Sequence, residues 1–336
     1  MATGRALSSS AIMKRLYLLK PHSADTSLSH SYINSLACQG RHGKRLLSSH
    51  STRKTPSYAQ VFTLSDIPLS SFEGVIARNG DSFKDLSPEQ YYGVAQKFSE
   101  AIRRGTSPWT ASFTDRDTIP AETLHQVACI MRQIAGTRSA DAFATALWST
   151  ASEMGYRPST LSLARQLIHS RAYSRIPQLR RVEARFKGLV SSGKDANALT
   201  AEGELLLAQG RADAAAAALK RALTLSDEFE WRPHCQLCLG RAYLKMGQAD
   251  EARRLFEKLA EEGVVEADAE LAEMLHGSDA DEARQRMYTA ACNGRRDMFT
   301  RLSEMELEKL ESGKDTAETR LWAMEWSKLA DGQVEH

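Results

Sequence analysis

A six-residue motif repeats along the C-terminal part of the chain at a nearly constant interval. The copies are Gly-Arg-Ala-Asp-Ala-Ala at 210–215, Gly-Gln-Ala-Asp-Glu-Ala at 247–252, Ser-Asp-Ala-Asp-Glu-Ala at 278–283 and a shorter Asp-Thr-Ala at 315–317. The last residues of the copies, Ala215, Ala252, Ala283 and Ala317, are 37, 31 and 34 residues apart, with a mean of 34. A repeat of this length predicts one helical unit per copy, and each unit buries its apolar face only by stacking on its neighbours.

The second copy resembles the tetratricopeptide repeat (TPR), a hairpin of two antiparallel helices. Leu239-Gly240, Tyr243, Gly247, Ala252 and Phe256 occupy the positions of that family's Leu-Gly, Tyr, Gly, Ala and Phe. Gly240 and Ala252 are small enough to let the two helices approach closely, while Tyr243 and Phe256 fill the space between hairpins. At the Phe256 position and three residues later, the other copies carry the apolar pairs Leu219 and Ala222, Met287 and Ala290, and Leu321 and Met324.

The resemblance covers residues 196–330 and implies an all-α, right-handed superhelical solenoid of antiparallel helix pairs. The last two copies are more similar to Sel-one-like repeats, with Ala-Glu-Glu-Gly at 260–263 and Ala-Ala-Cys-Asn-Gly at 290–294. The sequence departs from the TPR pattern at Gln236, which stands at the tryptophan position, and at Glu202, which stands at a leucine position.

TPR solenoids bind partners on the concave surface formed by the first helix of each pair. The resemblance implies such a protein-binding groove here, formed by Leu207, Leu237, Arg241, Leu244, Lys245, Leu275, Leu302 and Leu310, with Glu204 and Glu306 among them. The Lys and Asn clamp that chaperone-binding members use is missing, so the implied partner is an apolar or amphipathic segment of a client protein. The alternative is that these leucines pack against the next repeat or against the preceding helical region.

Helix start and stop signals predict a helical region at residues 86–195, before the repeats. Ser87, Pro88 and Gln90 form the pattern of a capping box with proline at the first helical position, and this helix is predicted to end at Gly105. Further helices are predicted from about residues 121, 139, 158 and 177, and no strand pattern follows residue 86. Residues 48–85 contain many Ser, Pro, Asp and Gly residues between short apolar runs, a composition that predicts an irregular linker.

The first 54 residues have the composition of a mitochondrial presequence. They carry nine basic residues, one acid (Asp25) and many serines. Ile12, Leu16 and Leu19 lie on one face of a predicted amphipathic helix. Arg45-Leu46-Leu47-Ser48 resembles the presequence-peptidase pattern, so residues 1–47 are predicted to be a disordered presequence. Its removal would leave 37 basic against 41 acidic residues, a charge of −4 that does not favour a nucleic-acid role.

A basic stretch precedes the repeats and supports a second interpretation. Its residues are Arg165, Arg171, Arg175, Arg180, Arg181, Arg185 and Lys187, with Glu183 as the acid inside it. This stretch is suited to contact with a polyanion such as RNA or an anionic lipid surface. Residues 142–158 also resemble one pentatricopeptide repeat, a family whose members bind organellar RNA. Alternatively, the stretch complements the acidic residues Glu261, Glu262, Glu266, Asp268, Glu270 and Glu273.

Signatures of enzymes, metal sites and structural disulfides are missing. The sequence has no phosphate-binding glycine loop, no Gly-x-Ser-x-Gly and no His-Glu-x-x-His. Cys235 and Cys238 form an isolated Cys-x-x-Cys on a predicted helix, which favours buried packing over metal binding. No stretch is long and apolar enough for a membrane span.

These features predict a non-enzymatic scaffold or assembly factor in the mitochondrial matrix or on the matrix face of the inner membrane. The chain resembles presequence-bearing mitochondrial TPR proteins, which include assembly factors of respiratory complexes such as cytochrome oxidase. That resemblance implies a client protein or respiratory-complex subunit as partner, with peripheral membrane contact as a further expectation. The alternative is an organellar RNA-binding or translation factor. No cofactor, metal or small-molecule substrate is expected.

Overall fold

The computed structural model describes residues 58–113, 118–134, 136–312 and 316–331. Within these ranges the protein is all-α, with helices packed mainly against their neighbours in sequence and with no strand, as the sequence predicts. The chain divides into two compact units. The first, called the N-terminal unit, extends to Ala208 and includes 225–231; the second, called the repeat unit, contains 209–224 and the residues from Arg232 onward. The predicted presequence and its cleavage site lie outside the described residues.

The N-terminal unit contains eight of the described α-helices. They are α1 (Tyr58–Val61), α2 (Leu69–Arg78), α3 (Pro88–Arg103), α4 (Ala121–Gln133), α5 (Arg138–Glu153), α6 (Arg157–His169), α7 (Arg180–Ser192) and α8 (Ala196–Ala208). Short 3-10 turns at Pro108–Thr110 and Pro177–Leu179 precede α4 and α7. Helix α8 belongs to this unit because it packs against α6 and α7, whereas the sequence assigned it to the first repeat.

Helix α5 lies at the centre of the N-terminal unit. Nearly every residue from Ala140 to Ser152 is buried, because α4 and α6 pack against it and the turn at Pro108–Thr110 covers a further side. A helix enclosed in this way needs small residues for close packing, and its sequence is rich in Ala, Ser and Thr. Phe143 contributes the large side chain, with its ring centroid 5.5 Å from that of Phe62 and 6.2 Å from that of Phe98.

The segment predicted to be an irregular linker is partly helical, so that prediction is wrong for residues 58–78. Helices α1 and α2 lie there, and Phe62, Phe72 and Val75 are buried in the core of the N-terminal unit. Phe72, Val75 and Ile76 recur at helical spacing, but the Ser, Pro and Gly residues around them obscured this short amphipathic pattern.

Local signals at the helix ends are confirmed. Ser87 Oγ accepts a hydrogen bond from the Gln90 backbone N–H, and the Gln90 side chain accepts one from the Ser87 N–H, which completes the predicted capping box. Gly105 and Gly155 follow α3 and α5 with φ of +98° and +85°, a left-handed conformation that glycine adopts without strain.

The repeat unit is built from antiparallel helix pairs. Helix α9 (Ala212–Leu225) comes first, and the pairs that follow are α10 (Arg232–Lys245) with α11 (Ala249–Glu261), α12 (Val265–Leu275) with α13 (Ala280–Cys292) and α14 (Asp297–Glu311) with α15 (Ala317–Ala330). Each pair also packs on the next through α11 with α12 and α13 with α14. This sequential packing is the TPR-like arrangement that the 34-residue period predicts.

Close approach of α10 and α11 depends on Gly240. A Cβ atom at this position would lie 2.7 Å from Cζ of Phe256, whose ring is fully buried. The predicted role of Gly240 is therefore confirmed. Phe256 also belongs to a buried cluster with Ala267 and Leu271 of the next pair, in agreement with its predicted place between hairpins. The equivalent aligned positions Leu219 and Met287 are also fully buried.

The last pair has a different register. Leu321 and Met324 align with the buried Phe256 and Leu259, yet their side chains are 55% and 58% exposed. Helix α15 instead directs Ala323 towards α14, where Ser303 Oγ donates a hydrogen bond of 2.9 Å to the Ala323 carbonyl. The alignment of the fourth copy on Ala317 is thus wrong by about two residues, because Ala323 rather than Leu321 makes the close contact.

Candidate functional site

Most leucines of the predicted groove are in the core. Leu237, Leu275 and Leu302 are at most 5% exposed, and Leu207 is also buried. Leu237 packs with Ala252 and Phe256, and Leu302 belongs to a cluster that contains Met287. Leu207 lies in α8 of the N-terminal unit, and the other three lie in the repeat unit. Burial of these four leucines is what the alternative of packing against neighbouring helices predicts.

The first helices of consecutive pairs are linked by ion pairs. Arg241 Nε of α10 donates to Glu270 Oε1 of α12 at 2.7 Å, and Arg301 of α14 makes two hydrogen bonds of 2.8 Å to Glu273 of α12. These two hydrogen bonds, with one to Glu304, raise the pKa of the Arg301 guanidinium above its usual range. The surface that connects the first helices therefore presents charged residues instead of the expected row of leucines.

The remaining predicted groove residues are only partly accessible. Leu244 and Leu310 are half-buried, and Lys245 is exposed. Glu306 is buried, and its Oε1 atom lies 3.4 Å from Arg284 Nη2 and 3.1 Å from Lys309 Nζ. These ion pairs lie within the repeat unit and contribute to its stability. Glu204, in the N-terminal unit, is buried as well and accepts two hydrogen bonds from Arg165 Nε.

The last helix pair has an apolar surface that the sequence did not indicate. We call Tyr288, Leu321, Trp322 and Met324 the terminal apolar face; their side chains are 44% to 58% exposed. Half-buried Trp326 connects the two aromatic members, because its ring lies 5.2 Å from Trp322 in a stacked arrangement and 5.9 Å from Tyr288 of α13. The sequence signal for this face is the pair of Trp322 and Trp326 at i, i+4 spacing. The alignment of the repeats instead placed Leu321 and Met324 at core positions.

A cluster of large exposed apolar side chains is informative in a way that a single exposed leucine is not. Monomeric proteins rarely leave contiguous apolar patches open, and such patches commonly mark surfaces that bind another protein. Aromatic residues and Met are also enriched where proteins contact each other. The terminal apolar face is the described surface of the repeat unit whose chemistry best fits an apolar or amphipathic segment.

The basic stretch separates into two groups. Arg165 and Arg185 are engaged within the N-terminal unit, and Arg185 makes hydrogen bonds of 2.7 and 2.6 Å to Glu153. These bonds hold the pKa of the Glu153 carboxyl below its ordinary value. The other members are exposed: Arg171, Arg175, Arg180, Arg181 and Lys187. Glu183 is buried and accepts a hydrogen bond of 2.7 Å from the Ser174 N–H.

Three of the acidic residues expected to complement this stretch have partners in the repeat unit. Asp268 pairs with Arg286 at 3.1 Å, and Glu270 and Glu273 pair with the arginines of α10 and α14 described above. Arginines of the repeats themselves thus compensate these charges, which differs from the interpretation favoured by the sequence.

The Cys-x-x-Cys pair is buried, as predicted. Cys235 and Cys238 are at most 2% exposed. Cys235 Sγ donates a hydrogen bond of 3.5 Å to the Leu219 carbonyl, which attaches α10 to α9. Their role as small packing residues follows from this burial.

The N-terminal unit contains a polar cleft that no sequence motif indicated. It has a volume of about 590 Å³ and lies between α4, the starts of α6 and α8, and the segment 225–231. His125 and Cys129 are in its wall, with His125 Nε2 3.5 Å from Cys129 Sγ. We call this feature the α4 cleft.

The cysteine and histidine of the α4 cleft do not form an activated nucleophile. Burial raises the pKa of the Cys129 thiol to about 12 and lowers the pKa of His125 to about 3. His125 Nδ1 is also 2.9 Å from Ser159 Oγ. A nucleophilic cysteine needs a depressed pKa, so this pair is a packed, neutral part of the wall.

Comparison with known families gives one match. Residues 206–275 match the family model of the tetratricopeptide repeat, from the end of α8 to the end of α12. No curated protein matches the chain. The match and the sequential helix pairs support the TPR family for this part of the protein. TPR repeats generally mediate protein–protein interaction, and their fold is typical of non-enzymatic scaffolds.

No described helix combines the length and the apolar character needed to cross a membrane.

Proposed function

We propose that this protein is a non-enzymatic mitochondrial scaffold that holds a segment of a client protein on its repeat unit. The observation that carries the proposal is the TPR match at residues 206–275 together with helices that pair and stack in sequence order. Repeats of this kind build extended surfaces from many small contacts, which suits them to binding chains instead of to catalysis.

The terminal apolar face is the proposed contact surface for the client. Trp322, Leu321 and Met324 offer a broad apolar surface with a rigid aromatic centre, and burial of such residues supplies most of the binding energy in protein interfaces. An amphipathic client helix would place its apolar side on this face, with Glu325 and Lys328 at its edge.

The mitochondrial assignment rests on the composition of residues 1–54, with nine basic residues and one acid. Resemblance to presequence-bearing TPR assembly factors extends the proposal to a respiratory-complex subunit as the client, on the matrix side of the inner membrane. Import of the full chain into isolated mitochondria, followed by carbonate extraction, tests the compartment and the attachment. Failure to reach a protease-protected compartment would contradict this assignment.

Client binding is tested by proximity labelling followed by pull-down from mitochondrial extracts. The Leu321→Ser, Trp322→Ser double variant should lose at least nine-tenths of client capture, since it removes the apolar centre of the surface. The control is Met154→Ser, which changes a 50% exposed apolar residue of the N-terminal unit and should capture clients normally. Equal capture by all three proteins would remove the terminal apolar face from the proposal.

A second candidate function, RNA binding, is favoured by the exposure of five basic residues between 171 and 187. Crosslinking to RNA in mitochondria, with loss on charge reversal of Arg180 and Lys187, would support it. Arg181 and Arg185 are left unchanged in this test because both pair with Glu153 in the N-terminal unit. Absence of RNA crosslinks in the unmodified protein would exclude this function.

A further inference from the structure

The α4 cleft has the size of a site for a small ligand or a single side chain. Its volume of about 590 Å³ is within the range of ligand pockets in proteins. All residues that line it belong to the N-terminal unit, including the segment 225–231 that closes one side. The cleft shares lining residues between 225 and 230 with the TPR match but no residue with the proposed client surface, so it calls for a separate explanation.

Three carboxylates of the cleft, Glu122, Glu228 and Glu230, have no ion pair within the described residues, and Glu230 is the one of them that is not exposed. It is half-buried, and its Oε1 atom accepts a hydrogen bond of 3.2 Å from the indole N–H of Trp231. The nearby cations are engaged elsewhere: Arg157 pairs with Asp195 at 2.9 Å, and Arg165 pairs with Glu204 at 3.1 Å. These two arginines offset the burial of the Glu230 carboxylate only in part, and a positively charged ligand would complete the compensation.

The rest of the lining fits a cation with an apolar stem. Phe83, Tyr156 and Phe229 supply aromatic rings, whose faces attract cations and also pack against methylene groups. Glu122 and Glu228 add negative charge at exposed positions of the lining. The positive charges are Lys194 and Arg157, and Arg157 is compensated by its ion pair with Asp195. His125 stays neutral because burial lowers its pKa to about 3, so it adds no repulsion.

The number of available acceptors distinguishes between kinds of cation. The Trp231 indole N–H uses one acceptor site of Glu230 Oε1, so Oε2 has more capacity for a new donor. A guanidinium group prefers to bind both oxygens of a carboxylate in parallel, whereas an ammonium group is a compact charge that is satisfied by one. The geometry therefore favours an ammonium group.

We propose that the α4 cleft binds an aliphatic ammonium group, with the nitrogen on Glu230 and the methylene stem against Tyr156 and Phe229. The ligand is a free alkyl amine or the side chain of a lysine in a bound protein, since both present the same chemistry. Burial also raises the pKa of Glu230 to about 7, so its charge is poorly stabilised in the empty cleft and gains from a cation.

The test uses the full chain, with pentylamine as probe and 1-pentanol as its neutral counterpart. Both are titrated at about pH 8, where the alkylammonium is charged, and the reporter is the NMR signal of the Trp231 indole N–H, assigned with a Trp231→Phe variant. The expected result is a saturable shift with pentylamine and none with 1-pentanol. Equal responses to the two probes, or no saturable response to pentylamine, would overturn the proposal.

Substitutions then locate the ammonium. Glu230→Gln should weaken pentylamine binding at least tenfold, because a hydrogen bond between charged groups becomes a neutral one. Phe229→Leu keeps the carboxylate and removes a ring, and it should weaken binding several-fold. Glu73→Gln, at an exposed position of α2, is the matched control and should bind as the unmodified protein does. Unchanged affinity in Glu230→Gln would refute the assignment of the nitrogen.

A parallel titration with Nα-acetyl-lysine amide distinguishes the two sources of the group. Tighter binding of this probe than of pentylamine indicates a lysine of a bound protein, because the peptide groups then contribute contacts. Tighter binding of pentylamine indicates a free amine. Failure of the client pull-down described above would leave this result unaffected, since the α4 cleft and the terminal apolar face share no residue.

Discussion

At the scale of single residues, the protein retains a carboxylate that costs it stability. Burial raises the pKa of Glu230 from 4.5 to about 7, an effect that the Trp231 indole, Arg157 and Arg165 only partly offset and that Asp195 increases. Between these two pH values the folded chain holds a proton that the unfolded chain has lost. Stability therefore falls as the pH rises through this window, and the cost is complete above pH 7. Unfavourable groups of this kind are typical of functional sites.

Glu230→Gln should accordingly stabilise the unliganded protein at high pH. The amide keeps the shape of the side chain and removes the charge, so the Tm difference from the unmodified protein should be larger at about pH 8 than at about pH 5. The half-buried position keeps the gain modest. Thermal unfolding at the two pH values measures it. A lower Tm of the variant at pH 8 would show that Glu230 contributes a favourable charge interaction.

The contact of Gly240 with Phe256 gives a second prediction at this scale. Gly240→Ala should destabilise the repeat unit by about 1–3 kcal/mol, because the new methyl group overlaps a fully buried ring. The same change at Gly188, where a Cβ meets nothing within 4 Å, should stabilise α7 by about 0.5–1 kcal/mol. Urea unfolding of both variants provides the comparison, and rescue of Gly240→Ala by Phe256→Leu would identify the ring as the cause.

At the scale of helices, neighbouring elements with similar sequence patterns turn different faces to their partners. Helices α11 and α13 bury the apolar residue four positions after their aligned alanine, whereas α15 exposes it. The reason is the stacked group formed by Phe299, Trp322 and Trp326, whose large rings require more room beside α14 than a leucine does. Accommodating these rings rotates α15 so that Ala323 faces α14.

Matched truncations of aligned residues test this rotation. Met287→Ala should cost about 2–5 kcal/mol, because it opens a cavity at a fully buried position of α13. Leu321→Ala, at the aligned position of α15, should change the free energy of unfolding by less than about 0.5 kcal/mol. Denaturant unfolding of both variants provides the measurement, and a large loss in Leu321→Ala would restore the regular repeat register.

At the scale of the whole molecule, the described residues form two units of different construction. The N-terminal unit has a compact aromatic core, and the repeat unit is built from helix pairs that follow one another in sequence. In the repeat unit each helix pair packs on its neighbours in sequence, so stability is a sum of local terms. The N-terminal unit differs because α5 contacts elements on several sides, including α1, α4, α6 and α7.

Removal of the last pair tests the local character of the repeats. A chain that ends at Asn293 should keep α9 to α13 helical, with circular dichroism at 222 nm reduced only in proportion to the residues removed. The Trp231 indole signal should keep its position, because that residue belongs to the N-terminal unit. Loss of most helical signal would show that the repeats fold only as a complete array.

The sequence by itself determined the class of fold, the repeat period, most helix boundaries and the close approach of α10 and α11 at Gly240. These features depend on the spacing of residues, on capping residues such as Ser87 and on residue size, and all three are visible in the amino-acid sequence. Tertiary structure decided which apolar residues remain exposed: Leu237 and Leu275 are buried by neighbouring helices, while Leu321 is not. It also formed the α4 cleft, because burial and the proximity of Glu230 to α4 arise only when distant segments pack together.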